Sequence, residues 1–292
     1  MEKLCENHTL MKVSHKKIGG LKSRKDLQGK VEQAHGVTNS KLLTVKLDYL
    51  KNEALSKSHA IHTKMEKDLA AMSQPWIDGG FRIYANVKLQ KAQDLVNSAI
   101  IDDEKAVEDY IAGYDAHVDE QRAELGSAFN EEDYPSKDEL RSKSSIKYEL
   151  APVPDPEMDA RAGMTQAMHE RYTAQIVKQE REKVAACVVD LRDRLGDVVK
   201  SFRDAMDGYT GERKGRFNDT IVSNIRDLVR NIPDFNLGND PLIEEVRRDL
   251  LSEITSLNPK SLRADEQLRK AAVKAADDIT KKIGAFGASK RD

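Results

Sequence analysis

The sequence has little of what a catalytic or disulfide-built domain needs. Its only cysteines are Cys5 and Cys187, one beside the terminus and one inside an apolar helical pattern, so no disulfide framework is available. Aromatic residues make up 5% of the chain, too few for a compact sheet-centred core. No apolar run approaches the roughly 20 residues that span a bilayer, and no signal-like hydrophobic stretch opens the chain. The expected location is therefore the cytoplasm, of a bacterium or of an infected host cell, without a membrane. Phosphate loops, dinucleotide fingerprints and nucleophile elbows are missing: the Gly19-Gly20 and Gly79-Gly80 pairs belong to none of them.

What is present is charge and aliphatic periodicity. Charged residues are 34% of the 292, against roughly 25% in an average domain, and mean hydropathy is −0.65. Regular apolar spacing opposes disorder and favours long solvated helices with seams of Leu, Ile, Val, Met and Ala. The net charge of −2 says little, but its distribution says more. Residues 1–30 carry eight Lys and Arg against three acids, and residues 102–139 carry fourteen acids against three bases. Two such regions can attract each other or face different partners.

Residues 1–38 are basic, without a clear period, and broken by Gly19-Gly20, Gly29 and Gly36; they read as a flexible arm. A first helix is expected over 40–72, capped by Ser40, with a stripe of Leu43, Leu47, Leu50, Ala54, Ile61, Met65, Leu69 and Met72. After a turn at 76–80, Phe81, Ile83 and Ala85 alternate with polar neighbours, as do Ile146, Tyr148 and Leu150; these two segments are expected to pair as an antiparallel ribbon. Between them a second helix spans 87–125, its stripe interrupted by Asp103. Residues 151–158, with three prolines, form a linker. A third helix over 160–206 carries Val184, Val188, Leu191, Leu195, Val198, Phe202 and Ala205 at heptad spacing, the signature of a coiled-coil seam. Its partner is the first two helices, or a second copy of the chain through 184–205. Shorter helices follow near 213–230, after Asp240-Pro241, and near 261–283. The expected fold is mainly α: a long antiparallel helical hairpin or coiled-coil bundle with a two-stranded β ribbon and a C-terminal helical subdomain. Its parts are an arm (1–38), a hairpin with ribbon (39–150), the linker (151–158) and a long helix with terminal bundle (159–292).

Chemistry-bearing groups each have a bland reading. His59 and His62, three apart, have the spacing of metal ligands but lack a third, and read as solvated helix residues. Asp102, Asp103, Glu104, Glu108 and Asp109 read as an acidic face for a protein partner, and Glu131-Glu132-Asp133 as a solvated loop. Lys12, Lys16, Lys17, Lys22, Arg24 and Lys25 supply phosphate-neutralising charge without aromatics for base stacking. Cys187 reads as a small core residue. No catalytic residue, metal or cofactor is assigned.

Six short segments give the chain a resemblance to a family. They are Gly-Gly-Leu-Lys-Ser-Arg-Lys-Asp-Leu at 19–27, Trp76–Tyr84, Tyr-Asp-Ala-His-Val at 114–118, Ile146–Pro154, Asn-Asp-Pro-Leu-Ile-Glu-Glu-Val at 239–246 and Leu-Arg-Ala-Asp-Glu-Gln-Leu-Arg at 262–269. In these it resembles an uncharacterised family of phage and bacterial proteins, a domain of unknown function often encoded beside MoxR-type AAA+ ATPases and von Willebrand A proteins. The resemblance implies an adaptor accessory to such an ATPase and supplies no catalytic residues. The expected function is a non-enzymatic helical interaction protein; the alternatives are a nucleic-acid accessory protein using the basic arm, and a metal-dependent enzyme.

Overall fold

The computed structural model describes residues 4–77, 79–155, 164–209 and 219–285. They form strands β1 (His8–Lys16), β2 (Leu21–Ser23), β3 (Lys46–Asp48), β4 (Gln74–Ile77), β5 (Phe81–Ala85) and β6 (Ser145–Pro152). The helices are α1 (Leu4–Asn7), α2 (Lys25–His35), α3 (Glu53–Ala71), α4 (Asn86–Ala112), α5 (Tyr114–Leu125), α6 (Lys137–Lys143), α7 (Gln166–Asp207), α8 (Thr220–Phe235), α9 (Pro241–Glu253), α10 (Pro259–Ala264) and α11 (Glu266–Ala285). The fold is mainly helical with a small sheet. Among the described residues, no helix is long and apolar enough to cross a membrane.

Two strands expected to pair with each other do not. The sheet order is β4-β5-β1-β6, so β1 lies between the two ribbon segments. Residues 8–35 thus form β1, β2 and α2, and the reading of a flexible arm is corrected. The expected first helix is also shorter: 40–48 holds a 3-10 turn and β3, and β3 pairs antiparallel with β2. Helix α3 begins after Asn52, whose Oδ1 accepts from the Leu55 N–H at 2.8 Å. The β2–β3 pair is a separate two-stranded sheet; at one edge of the four-stranded sheet β4 and β5 pair antiparallel. Pro75 is tolerated there because an edge strand has one unpaired side. Gly79 and Gly80 close the turn at φ 99° and 86°, conformations that side chains with a Cβ rarely adopt.

The chain divides into two compact units: unit 1 holds residues 1–11, 71–88 and 150–292, and unit 2 holds 12–70 and 89–149. The expected boundary near 150 coincides with one crossing, but 71–88 belongs with the C-terminal part. Of the expected linker, 151–152 end β6 and 156–158 lie outside the described residues, as do 160–163 and 213–218 of the expected helices.

In unit 1, α7 buries Cys187, Leu191, Leu195, Val199, Phe202 and Met206. Val188, Val198 and Ala205 pack on the same core. The covered face is therefore broader than a heptad seam, as an ordinary bundle helix requires. α8 and α11 pack against α7, and α9 packs on both. The seam expected to engage the first two helices or a second copy is thus filled by the C-terminal helices. Asp240 caps α9, its side chain accepting from the Leu242 N–H with Pro241 at the first helical position. The single helix expected near 261–283 is two, α10 and α11.

In unit 2, Ile18, Leu50, Leu55, Val107, Tyr110, Ile111, Tyr114 and Leu140 form the apolar core. Helix breaks at Gly113 separate α4 from α5. Gly20 lies against Leu50, and a Cβ there would meet Leu50 Cβ at 2.5 Å and Leu50 N at 2.6 Å. Because one contact is backbone, Gly20→Ala is expected to destabilise unit 2 by about 1–3 kcal/mol, an overpacking cost. Gly19→Ala, with nothing within 4 Å, serves as the control in the same thermal melts and should shift them little.

Candidate functional site

The α3 stripe that unit 2 buries is Leu55, Ser58, His62, Met65 and Leu69. On α4 the buried stripe includes Ala92, Val96, Ala99, Asp103, Ala106, Val107 and Tyr110. Each apolar stripe has a polar interruption, and the interruptions meet. Asp103 is 3% exposed, Ser58 and His62 are 0%. Ser58 Oγ donates to Asp103 Oδ1 at 2.6 Å, and Ser144 Oγ donates to Oδ2 at 2.7 Å. His62 Nε2 lies 3.1 Å from Oδ1, an ion-pair distance without hydrogen-bond alignment. Burial pushes the Asp103 carboxyl up, but His62 and the two hydroxyls outweigh it and hold it below the usual carboxylate range.

The chain of polar contacts continues outward. His62 Nδ1 is 3.1 Å from His15 Nδ1, and His15 Nε2 is 2.8 Å from Glu66 Oε1. Lys17 Nζ stands 3.8 Å from Glu66 Oε2. His59 is separate, its Nε2 bonded to the Ile18 carbonyl at 2.7 Å. The reading of His59 and His62 as two solvated residues is therefore corrected: His62 is interior, and its neighbour is His15 on β1. Among the described residues no three His, Cys, Asp or Glu side chains are grouped to hold a metal.

Beside this cluster a groove of about 450 Å³ is walled by Asp103, Glu104, Glu108, Arg141, Ser144 and Lys147. Its chemistry is not that of a hydrolase triad. A triad places imidazole between hydroxyl and carboxylate, so that the hydroxyl is activated by a base. Here the carboxylate sits between, and both serine hydroxyls spend their protons on Asp103.

The remaining acidic residues diverge. Asp102, Glu104, Glu108 and Asp109 are exposed on α4 while Asp103 is not, which removes Asp103 from the expected partner surface. Glu108 pairs with Arg141 at 2.8 Å and Asp115 with Lys137 at 2.8 Å. No Lys or Arg among the described residues pairs with Asp102, Glu104, Asp109 or Glu120. Ile101, next to Asp102 in sequence, is 66% exposed. Asp133, expected in a solvated loop, is buried instead and takes Lys22, with Arg24 Nη1 at 3.7 Å.

The basic residues are largely committed to such pairs. Lys12 pairs with Glu149 at 3.3 Å. Arg24 also bonds Asp26 and the Ala128 carbonyl, each at 2.6 Å. Of the six expected to meet nucleic acid, Lys16 and Lys25 are exposed without a carboxylate partner among the described residues. The basic and acidic regions do attract each other, through Lys22, Arg24 and Asp133.

No family model, curated protein or solved structure matches the chain.

In unit 1, Cys187 is fully buried, its Sγ 3.3 Å from the Pro75 carbonyl, and burial pushes its thiol up to about 12. A thiol so held is no nucleophile at neutral pH.

Proposed function

We propose that this chain is a non-enzymatic helical interaction protein whose exposed α4–α5 face takes a basic protein partner. One contrast carries the reading: Lys12, Lys17, Lys22 and Arg24 of the N-terminal segment are paired within the fold, while Asp102, Glu104, Asp109 and Glu120 are left to solvent on α4 and α5. Unpaired acids supply long-range steering toward a basic partner, and Ile101, 66% exposed beside Asp102, adds apolar contact area. Internal pairing takes up Lys12, Lys17, Lys22 and Arg24, four of the six residues expected to meet phosphates, so a nucleic-acid role is the weaker alternative.

The partner we propose, on the sequence resemblance, is a MoxR-type AAA+ ATPase, with the chain as its adaptor. The test is association with a purified ATPase of that type at low salt. Asp102→Lys/Asp109→Lys/Glu120→Lys should slow association on the order of tenfold, the range in which charge steering acts, and leave the thermal melt unchanged. Association unaffected by the triple change would reject the acidic face.

A further inference from the structure

We propose that the groove beside Asp103 takes an extended basic segment of the partner, which adds as a strand to the free edge of β6 and sets one Lys or Arg side chain against Asp103 and Glu104. The inference rests on the reading of a basic partner and adds to it the mode of recognition.

The edge is open. In the order β4-β5-β1-β6, β6 has one strand neighbour, β1. A strand paired on one side turns its remaining N–H and C=O groups outward, where an extended chain can pair with them. Among the described residues, the backbone of 145–149 makes no hydrogen bond outside the sheet. No proline removes a donor in that stretch.

The edge also borders a groove. Its volume of about 450 Å³ lies within the roughly 300–1,000 Å³ of ligand-holding clefts. It is lined by α4 and by the start of β6 at Ser145, Ile146 and Lys147. A segment seated there touches helix and strand together, so that strand pairing supplies affinity and the groove supplies selection among side chains. Ile100 and Val107 of α4 offer apolar surface to the stem of a long cationic side chain.

Charge decides the occupant. Among the groove's charged residues, Arg141 is already engaged by Glu108 and Asp138. Of the rest, Asp103 and Glu104 are acidic and Lys147 is basic, and among the described residues Lys147 pairs with neither acid. One negative charge is left over. Asp103 is 3% exposed, its oxygens taken by the Ser58 and Ser144 hydroxyls, with no Lys or Arg paired to it among the described residues. Hydroxyls solvate a carboxylate without neutralising it, and an interior charge is costly until a counter-charge meets it. A carboxylate offers about four acceptor positions, so an arriving ammonium or guanidinium group finds lone pairs still open. An acidic or purely apolar segment gains nothing there.

The experiment titrates the full chain at low salt with a short peptide alternating lysine and threonine, which favours extended backbone. A second titration uses the same peptide N-methylated at every residue, which keeps the charges and loses the N–H donors. Amide NMR and hydrogen exchange locate the binding. The proposal expects shifts at 100–108 and 145–149 and slowed exchange of the 145–149 amides. The methylated peptide should bind about tenfold more weakly, the effect of one or two hydrogen bonds of ordinary net worth. Glu104→Lys, an exposed change, should weaken the plain peptide on the order of tenfold as well. Equal binding of the two peptides, or shifts confined to other residues, would overturn the added strand. If Asp102→Lys/Asp109→Lys/Glu120→Lys still weakened binding in that case, the acidic face would stand and the groove alone would fall. No peptide binding at all would reject the basic partner and the groove with it. Neither arm asks the protein to tolerate an interior substitution.

Discussion

Asp103→Ala is expected to cost unit 2 about 3 kcal/mol, the lower end of what removing one partner of a buried charged cluster costs. The lower end applies because Asp103 also lines the groove. The loss exceeds that of an ordinary surface carboxylate because Ser58 would keep its hydroxyl inside with no acceptor, His62 Nε2 would face no carboxylate, and Ser144 would lose its shorter contact. Hydrogen exchange localises it: amides of α3 and α4 should lose protection while those of α8 and α11 keep theirs. Asp103→Asn, isosteric but uncharged, should fall between the variant and the parent protein. The pH dependence has a definite sign. The Asp103 carboxyl is held below its usual range in the fold, so its share of stability is full above the unfolded value of about 3.9 and disappears as pH falls through the folded value. Parent and Asp103→Ala stabilities should converge in acid. If instead the difference persists unchanged to pH 2, the carboxylate's charge is not what stabilises unit 2.

Phe202→Ala should have an effect of similar or larger size in unit 1, about 3–5 kcal/mol, the range for emptying an aromatic from a well-packed interior. Phe202 is 0% exposed within the core that joins α7 to Val222, Ile225, Val229 and Ile279. Val189→Ala on the same helix, at 45% exposure, should stay within about 0.5 kcal/mol. Because the chain has two compact units, a single melting temperature is a poor readout. The check is denaturant unfolding followed by exchange of α8 and α11 amides, which should be lost early in Phe202→Ala and not in Val189→Ala.

The parts of the fold that sequence made legible are those in which a long apolar stripe sits on one continuous helix. The α7 stripe was readable because it runs on one continuous helix, and the Asp240-Pro241 start because capping chemistry is local. The N-terminal strands were not readable for the same reason in reverse. β2 and β3 are three residues each, far apart in sequence, and alternation over three residues carries almost no signal. In β1 the basic residues drew attention to charge, although Leu10 and Met11 are buried.

The site was half legible. Asp103 stands out in the sequence as a charge interrupting the α4 stripe, which suggests shallow or wet packing at that point. The expected α3 stripe ran through Ala54 and Ile61, out of phase with the observed Leu55, Ser58, His62, Met65 and Leu69. In the right phase His62 is also an interruption, and two interruptions on helices of one core point to each other. His15 had no such signal, since its role depends on where β1 lies.

The most direct test of the central claim, that the unpaired acidic residues of α4 and α5 serve a basic partner, is paired low-salt binding to duplex DNA and to a lysine-rich peptide. The account predicts binding to the peptide, weakened by salt and lost in Asp102→Lys/Asp109→Lys/Glu120→Lys, with none to DNA. Salt-dependent binding to DNA that is lost on replacing Lys16 and Lys25, with none to the peptide, would contradict it.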